Sequence, residues 1–175
     1  MKHYKSKNRT ESLLRLFPDI FNCKSVLYIG AKKKRSHYAD NFVKAGAFVS
    51  VLEAHKPNID GLVDEPWIHE LIHGDVRLYE TDKKYDVVFW WHGPEHIESN
   101  LLSYVVAKLE AIATKGVVLA CPWGKYIQGA SGGNEYEVHL SHYHHEIFES
   151  MGYEVECLGI MDVPGSNITS VKLLK

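Results

Sequence analysis

The stretch Tyr85-Asp86-Val87-Val88-Phe89-Trp90-Trp91 constrains this chain most. After Asp86 every residue is apolar, without the in–out alternation of a strand wetted on one side. A run of this kind needs cover on both faces, as central strands of parallel sheets have. Helical and strand patterns alternate around it. Ser25-Val26-Leu27-Tyr28-Ile29 reads as a first strand closed by Gly30. A helix is predicted over about 36–45, with Tyr38, Phe42 and Ala45 on one face and Gly46 placed to end it. A shorter helix is expected from Thr10, with Leu13, Leu14, Leu16 and Phe17 on its apolar side and Pro18 disturbing its end.

Further strands are predicted over 47–52, 70–73, 117–121, 153–160 and 168–174, while 54–67 reads as irregular, with one helical turn at most. Beyond Ser99 or Asn100, either able to cap, Leu102, Val105, Val106, Leu109 and Ile112 recur at steps of three and four. That periodicity predicts a helix, with Gly116 as its stop. Another helix is expected near 142–151, stopped by Gly152. The pattern predicts an α/β fold: a doubly wound, mostly parallel seven-stranded sheet with helices on both faces. The turn at Pro164-Gly165-Ser166-Asn167 leaves no room for a helical crossover, so the last strand is expected to be antiparallel. The 175 residues suit one core. Residues 1–9, basic and polar, are expected to be a flexible N-terminus, and 10–175 to form a single domain.

Composition narrows the class. A formal net charge of -2 gives no general electrostatic grip on nucleic acid, so a nucleic-acid partner is not indicated by charge. No apolar run reaches the ~18–20 residues that cross a bilayer, so no membrane partner is expected. The three cysteines, Cys23, Cys121 and Cys157, are scattered, without a disulfide framework or paired metal spacing. A reducing, cytoplasmic location is the expectation.

In a doubly wound sheet, ligands sit beyond the carboxyl ends of the strands. This singles out Tyr28–Lys32, Glu53–His55, Gly74–Val76, Trp91–His96 and Pro122–Gly124 before any motif is considered. Read in order, these segments resemble the Rossmann-like (class I) S-adenosylmethionine (SAM)-dependent methyltransferases. Val26-Leu27-Tyr28-Ile29-Gly30-Ala31 resembles the family's glycine-rich first motif, and Val49-Ser50-Val51-Leu52-Glu53 its second strand with a terminal acid. His73-Gly74-Asp75-Val76 is similar to its Gly-Asp pair. Tyr85–Trp91 followed by Gly93-Pro94-Glu95-His96-Ile97 is similar to its fourth-strand motif. His139-Leu140-Ser141-His142-Tyr143, then Ile147-Phe148 and Met151-Gly152-Tyr153-Glu154-Val155, resembles the closing helix and sixth strand.

The resemblance implies SAM as cofactor and methyl transfer as the reaction. It places Tyr28, Gly30, Ala31, Lys32, Glu53, Ala54, Asp75, Val76 and Trp91 around the cofactor. In it Glu53 holds the ribose hydroxyls and Asp75 the adenine. The candidate catalytic residues are His92 and His96, histidine being the residue type best suited to act as a base at neutral pH, with Glu95 orienting the base. Trp123, Tyr126, His142 and Tyr143 are the candidate substrate-binding residues, and the loop 122–138 the candidate lid. The acceptor is not readable. The basic run Lys32-Lys33-Lys34-Arg35 allows it to be anionic, and the oligomeric state is open. His139, His142, His144 and His145 match no zinc spacing, so no metal site is expected. Tyr28 stands where the first motif normally has an acid, and lysines replace its second and third glycines. That supports a degenerate SAM- or adenosine-ligand-binding protein as an alternative. A nicotinamide nucleotide-dependent oxidoreductase is a third reading, with the lysines on a phosphate, but the chain has no Gly-x-Gly-x-x-Gly fingerprint.

Overall fold

The computed structural model describes residues 2–4, 8–32 and 37–175. The strands are β1 (Lys2–Tyr4), β2 (Ser25–Ile29), β3 (Phe48–Glu53), β4 (Glu70–His73), β5 (Tyr85–Trp91), β6 (Ala113–Cys121), β7 (Glu154–Leu158) and β8 (Asn167–Leu173). The helices are α1 (Arg9–Leu16), α2 (His37–Lys44), α3 (Lys56–Leu62), α4 (Leu102–Ile112) and α5 (His145–Ser150). One sheet holds all eight strands in the order β1-β7-β8-β6-β5-β2-β3-β4.

The apolar run of β5 lies where its composition requires, between parallel neighbours β2 and β6. Its alternate residues feed two separate cores. Val88 and Trp90 join Leu27, Ile29 and Leu119 beneath α4 and α5, through Val105, Val106, Leu109 and Phe148. Val87 and Phe89 join Val26, Tyr28 and Val49 beneath α1, α2 and α3, through Leu13, Ala39, Phe42 and Leu62. A strand buried on both sides cannot alternate with polar residues, which is why this sequence reads as it does. β8 is antiparallel to both β6 and β7, as the short turn requires.

Four details differ from expectation. An eighth strand, β1, pairs in parallel with Glu156–Leu158 of β7, inside the segment expected to be a flexible N-terminus. The irregular stretch holds α3, with a proline in its first turn, where a missing N–H costs nothing. The helix predicted near 142–151 begins only at His145, because Tyr143 is already bridged to Trp123 and Gly124. Gly116 does not end α4. β6 starts directly after Ile112, and Gly116 lies within it because a Cβ there would meet the Phe17 ring at 2.9 Å. No helix among the described residues is long and apolar enough to cross a membrane.

Candidate functional site

The carboxyl ends of β2, β3, β4, β5 and β6 open on one side of the sheet, into a cavity of about 730 Å³. Its floor begins at Gly30. There the chain leaves β2 with φ +78, a left-handed turn that favours glycine, and open space lies where a side chain would stand. The Gly30 amide still donates to the Leu52 carbonyl at 2.9 Å, so the turn is pinned to β3.

Glu53 closes β3 and is 6% exposed. Its Oε2 accepts the Ala31 amide at 3.1 Å, and its Oε1 accepts the His55 amide at 2.7 Å and Asn58 Nδ2 at 3.2 Å. This carboxylate therefore stitches the glycine turn to the start of α3. Burial pushes its pKa up, against the hydrogen bonds from His55, Asn58 and Ala31, which act to lower it.

Asp75 lies beyond β4 with Arg77 clamped across it. Arg77 Nη2 reaches Asp75 Oδ2 at 2.6 Å and Arg77 Nε reaches Oδ1 at 3.1 Å, while Nη1 holds Glu98 at 3.2 Å. Partial burial would raise the Asp75 carboxyl, but the Arg77 hydrogen bonds and charge prevail and hold it below its ordinary value.

On the far side, β5 ends in Trp91, which lines the cavity with its indole stacked on Phe89 and tilted against Tyr38. The next residue, His92, takes φ 52, a conformation that costs a non-glycine residue energy and clusters at functional sites. Its amide extends the sheet by donating to Ala120 O at 2.8 Å. The ring is held from two sides. Arg9 Nη1 lies 3.1 Å from Nε2, and Glu95 Oε1 lies 3.2 Å from Nδ1. A guanidinium only donates, so Nε2 is the acceptor and Nδ1 carries the proton. Gly93 follows, and a Cβ there would fall inside the Trp90 indole, so a side chain at this position forces that ring to shift.

The sequence-predicted residues divide cleanly. Gly30, Ala31, Lys32, Glu53, Ala54, Asp75, Val76, Trp91, His92, Glu95, His96 and Tyr126 all line this one cavity. Tyr28 does not. It lies on the opposite face of β2, edge-on to Trp67 and packed on Phe89, so it belongs to the core. Trp123 and Tyr143 are also buried off the cavity, and burial raises the Tyr143 hydroxyl to about 12. Trp123 and Gly124 are held away by Tyr143 and Asp162, since the Gly124 amide donates to Tyr143 O at 2.8 Å and Asp162 N to Trp123 O at 3.0 Å. His142 is exposed and does not line the cavity. Lys33, Lys34 and Arg35 lie outside the described residues.

The loop 122–138, expected as the lid, borders the cavity together with the flap's continuation to 144, and it supplies lining residues not singled out in the sequence, among them Gln128, Asn134 and Glu137, with His139 just beyond. Lys32 Nζ pairs with Glu137 Oε2 at 2.9 Å, joining the glycine turn to this flap. Arg9 and Asn58 were missed as well, and neither sits at a strand end. Only the histidine-rich run offered a signal for His139. The structure selects that one histidine from the run and places it against His96, ring centroids 5.0 Å apart. Burial lowers the pKa of His139 and favours the neutral ring.

No family model and no curated protein sequence matches the chain. Solved structures do. The S-adenosylhomocysteine (SAH)-bound N-terminal domain of EvdMO1 superposes with a TM-score of 0.64 at 16% identity, covering 97% of this chain and 81% of that one. The DhpI–SAM–HEP complex gives 0.69 at 11% identity, with coverages of 93% and 85%. SAM-bound CalS10, an amino pentose methyltransferase from Micromonospora echinaspora, gives 0.62 at 14% identity, with coverages of 92% and 87%. The chain has the Rossmann-like fold of the class I methyltransferases, over nearly its whole length.

Proposed function

We propose that the protein is a SAM-dependent methyltransferase. The observation that carries the reading is the joining of Glu53 to the Gly30–Ala31 turn within one cavity, at the ends of β3 and β2. In this reading Glu53 receives the ribose diol. A carboxylate has about four acceptor sites, and three are filled by Ala31, His55 and Asn58. The diol takes the remaining one and displaces the Asn58 amide, the only side-chain donor of the three. Gly30 and Ala31 let the ligand approach the backbone, and Ala54, Asp75 and Val76 border the adenine. The Trp91 ring faces the sulfonium, which its π cloud attracts. Lys32 is the cation for the methionyl carboxylate.

Methyl transfer is an in-line displacement, so positioning supplies much of the rate. The acceptor enters beneath the 122–144 flap, with Tyr126 on its wall. His92 is oriented by Glu95 and its Nε2 already accepts from Arg9, so His96, oriented by the Val138 carbonyl, is the better placed of the two histidines to meet the acceptor. Three free, buried cysteines fit a reducing, cytoplasmic setting.

A second reading, SAM binding without turnover, draws support from Lys32, which stands in the glycine motif and is tied to Glu137. Calorimetric titration with SAM, SAH and NADPH, followed by a broad acceptor panel, separates the readings. SAH binding with methyl transfer supports the enzyme, and SAH binding with no turnover supports the second reading. Tight NADPH binding without SAM or SAH heat sinks both.

A further inference from the structure

We infer that Glu95, His96 and His139 form a site for a divalent first-row transition-metal ion of the Mn²⁺, Fe²⁺, Co²⁺ or Zn²⁺ kind. One ligand atom from each residue lies within 4.8 Å of the other two. Ligands at ~2.1 Å from a shared ion sit roughly 3–3.5 Å from one another, so modest side-chain rotation closes the set.

The hydrogen bonds around the cluster leave the right atoms open. His96 Nδ1 lies 3.1 Å from Val138 O, and His139 Nδ1 lies 2.6 Å from Tyr126 O. A carbonyl only accepts, so both rings carry the proton on Nδ1 and keep a lone pair on Nε2. Backbone carbonyls commonly fix metal-binding histidines in this way. Glu95 is 3% exposed, and its Oε2 has no hydrogen-bond partner among the described residues. A buried carboxylate oxygen without a donor is costly, and a cation removes that cost. Its other oxygen accepts from His92 Nδ1, which orients the carboxylate.

The ligands come from two distant segments that hydrogen bonds tie together. The Leu140 and Ser141 amides donate to Glu95 O at 2.9 and 3.1 Å, and Ser141 Oγ donates to Ile97 O at 2.7 Å. Each of these bonds brings His139 to the Glu95–His96 turn. Two imidazoles and one carboxylate suit a first-row transition ion better than Mg²⁺ or Ca²⁺, which prefer all-oxygen sets. Three protein ligands leave coordination positions open, and all three residues line the cavity.

The role of the ion, though not its binding, rests on the methyl-transfer reading. With the ion bound, the His96 Nε2 lone pair is on the metal and His96 meets the acceptor through it: a hydroxyl of the acceptor bound at an open position loses its proton to water more readily. The resulting oxygen attacks the methyl carbon and forms the O–CH₃ bond. The S–CH₃ bond breaks with its electron pair left on sulfur, giving SAH.

The test uses the full chain stripped by a chelator. Equilibrium dialysis against Mn²⁺ and Co²⁺ with metal analysis, together with the visible spectrum of the Co²⁺ form, reads the site without any acceptor. One ion per chain is expected, with ligand-field bands of nitrogen and oxygen ligation. His139→Ala and Glu95→Gln should each weaken binding by more than about 100-fold, beyond the loss of an outer partner. The combined variant His142→Ala, His144→Ala, His145→Ala should keep the ion. Thermal melting confirms that each variant is folded; if Glu95→Gln melts early, His139→Ala, in the flap, decides. No bound ion in the parent overturns the inference. So does retention by His139→Ala, or loss in the triple variant. SAH titration of the same samples keeps the two claims apart: an ion without SAH binding defeats the methyltransferase reading alone, and SAH without an ion defeats this one alone.

Discussion

At the scale of single residues, Glu53 bears the most. Replacing it with Gln keeps its shape but turns one acceptor into a donor facing the Ala31 or His55 amide. SAH affinity should fall about 10- to 100-fold, the worth of charged hydrogen bonds, in a calorimetric titration. The pH dependence has a definite sign. Because burial raises the Glu53 pKa, the carboxylate takes up its proton at higher pH than an ordinary glutamate as pH falls. SAH affinity should therefore begin to weaken above the usual carboxylate range of ~4.3, and Glu53→Gln should lose that dependence. Asp75 behaves oppositely. Its folded pKa is lowered, so its stabilising contribution is present above the unfolded value and is lost as pH falls through the folded one. Asp75→Asn should flatten the acid limb of the melting profile. Gly93 tests packing rather than charge. Gly93→Ala drives a methyl into the Trp90 indole and should cost about 1–3 kcal/mol in denaturant unfolding.

At the scale of elements, α1 is fastened to the sheet by a buried charge. Arg15 Nη2 meets Glu156 Oε2 at 2.7 Å, and Ser12 Oγ donates to the same oxygen at 2.7 Å. Glu156 is 4% exposed, so Arg15→Ala strands its carboxylate with one hydroxyl donor. A loss of about 3–5 kcal/mol is expected, measured by urea unfolding. The strands of the sheet were largely legible because burial on both faces writes an unbroken apolar run, as in β5, and because Gly30 and Gly46 punctuate their neighbours. Gly116 misled for a physical reason: a glycine that makes room for Phe17 in a strand looks the same in sequence as one that ends a helix. Tyr28 misled because a strand end offers two faces, and sequence does not say which one meets the ligand. Arg9 and Asn58 reach the site through tertiary contacts alone, so no local pattern announced them, and the histidine-rich run did not say that His139 was the one to reach it.

At the scale of the whole molecule, the sheet's carboxyl edge and the 122–144 flap enclose one cavity with two halves. Glu53, Asp75 and the Gly30 turn border one half, while His92, Glu95, His96 and His139 border the other. In the proposed reading the first half is the cofactor side and the second the acceptor side: the fold sets the edge, and a few residues on it set the chemistry. The most direct test of this account is calorimetric titration of the full chain with SAH, in parallel for the parent and Glu53→Gln. The account predicts saturable SAH binding by the parent that weakens about 10- to 100-fold in the variant. Absence of SAH binding by the folded parent, or equal affinity in the two proteins, would contradict it.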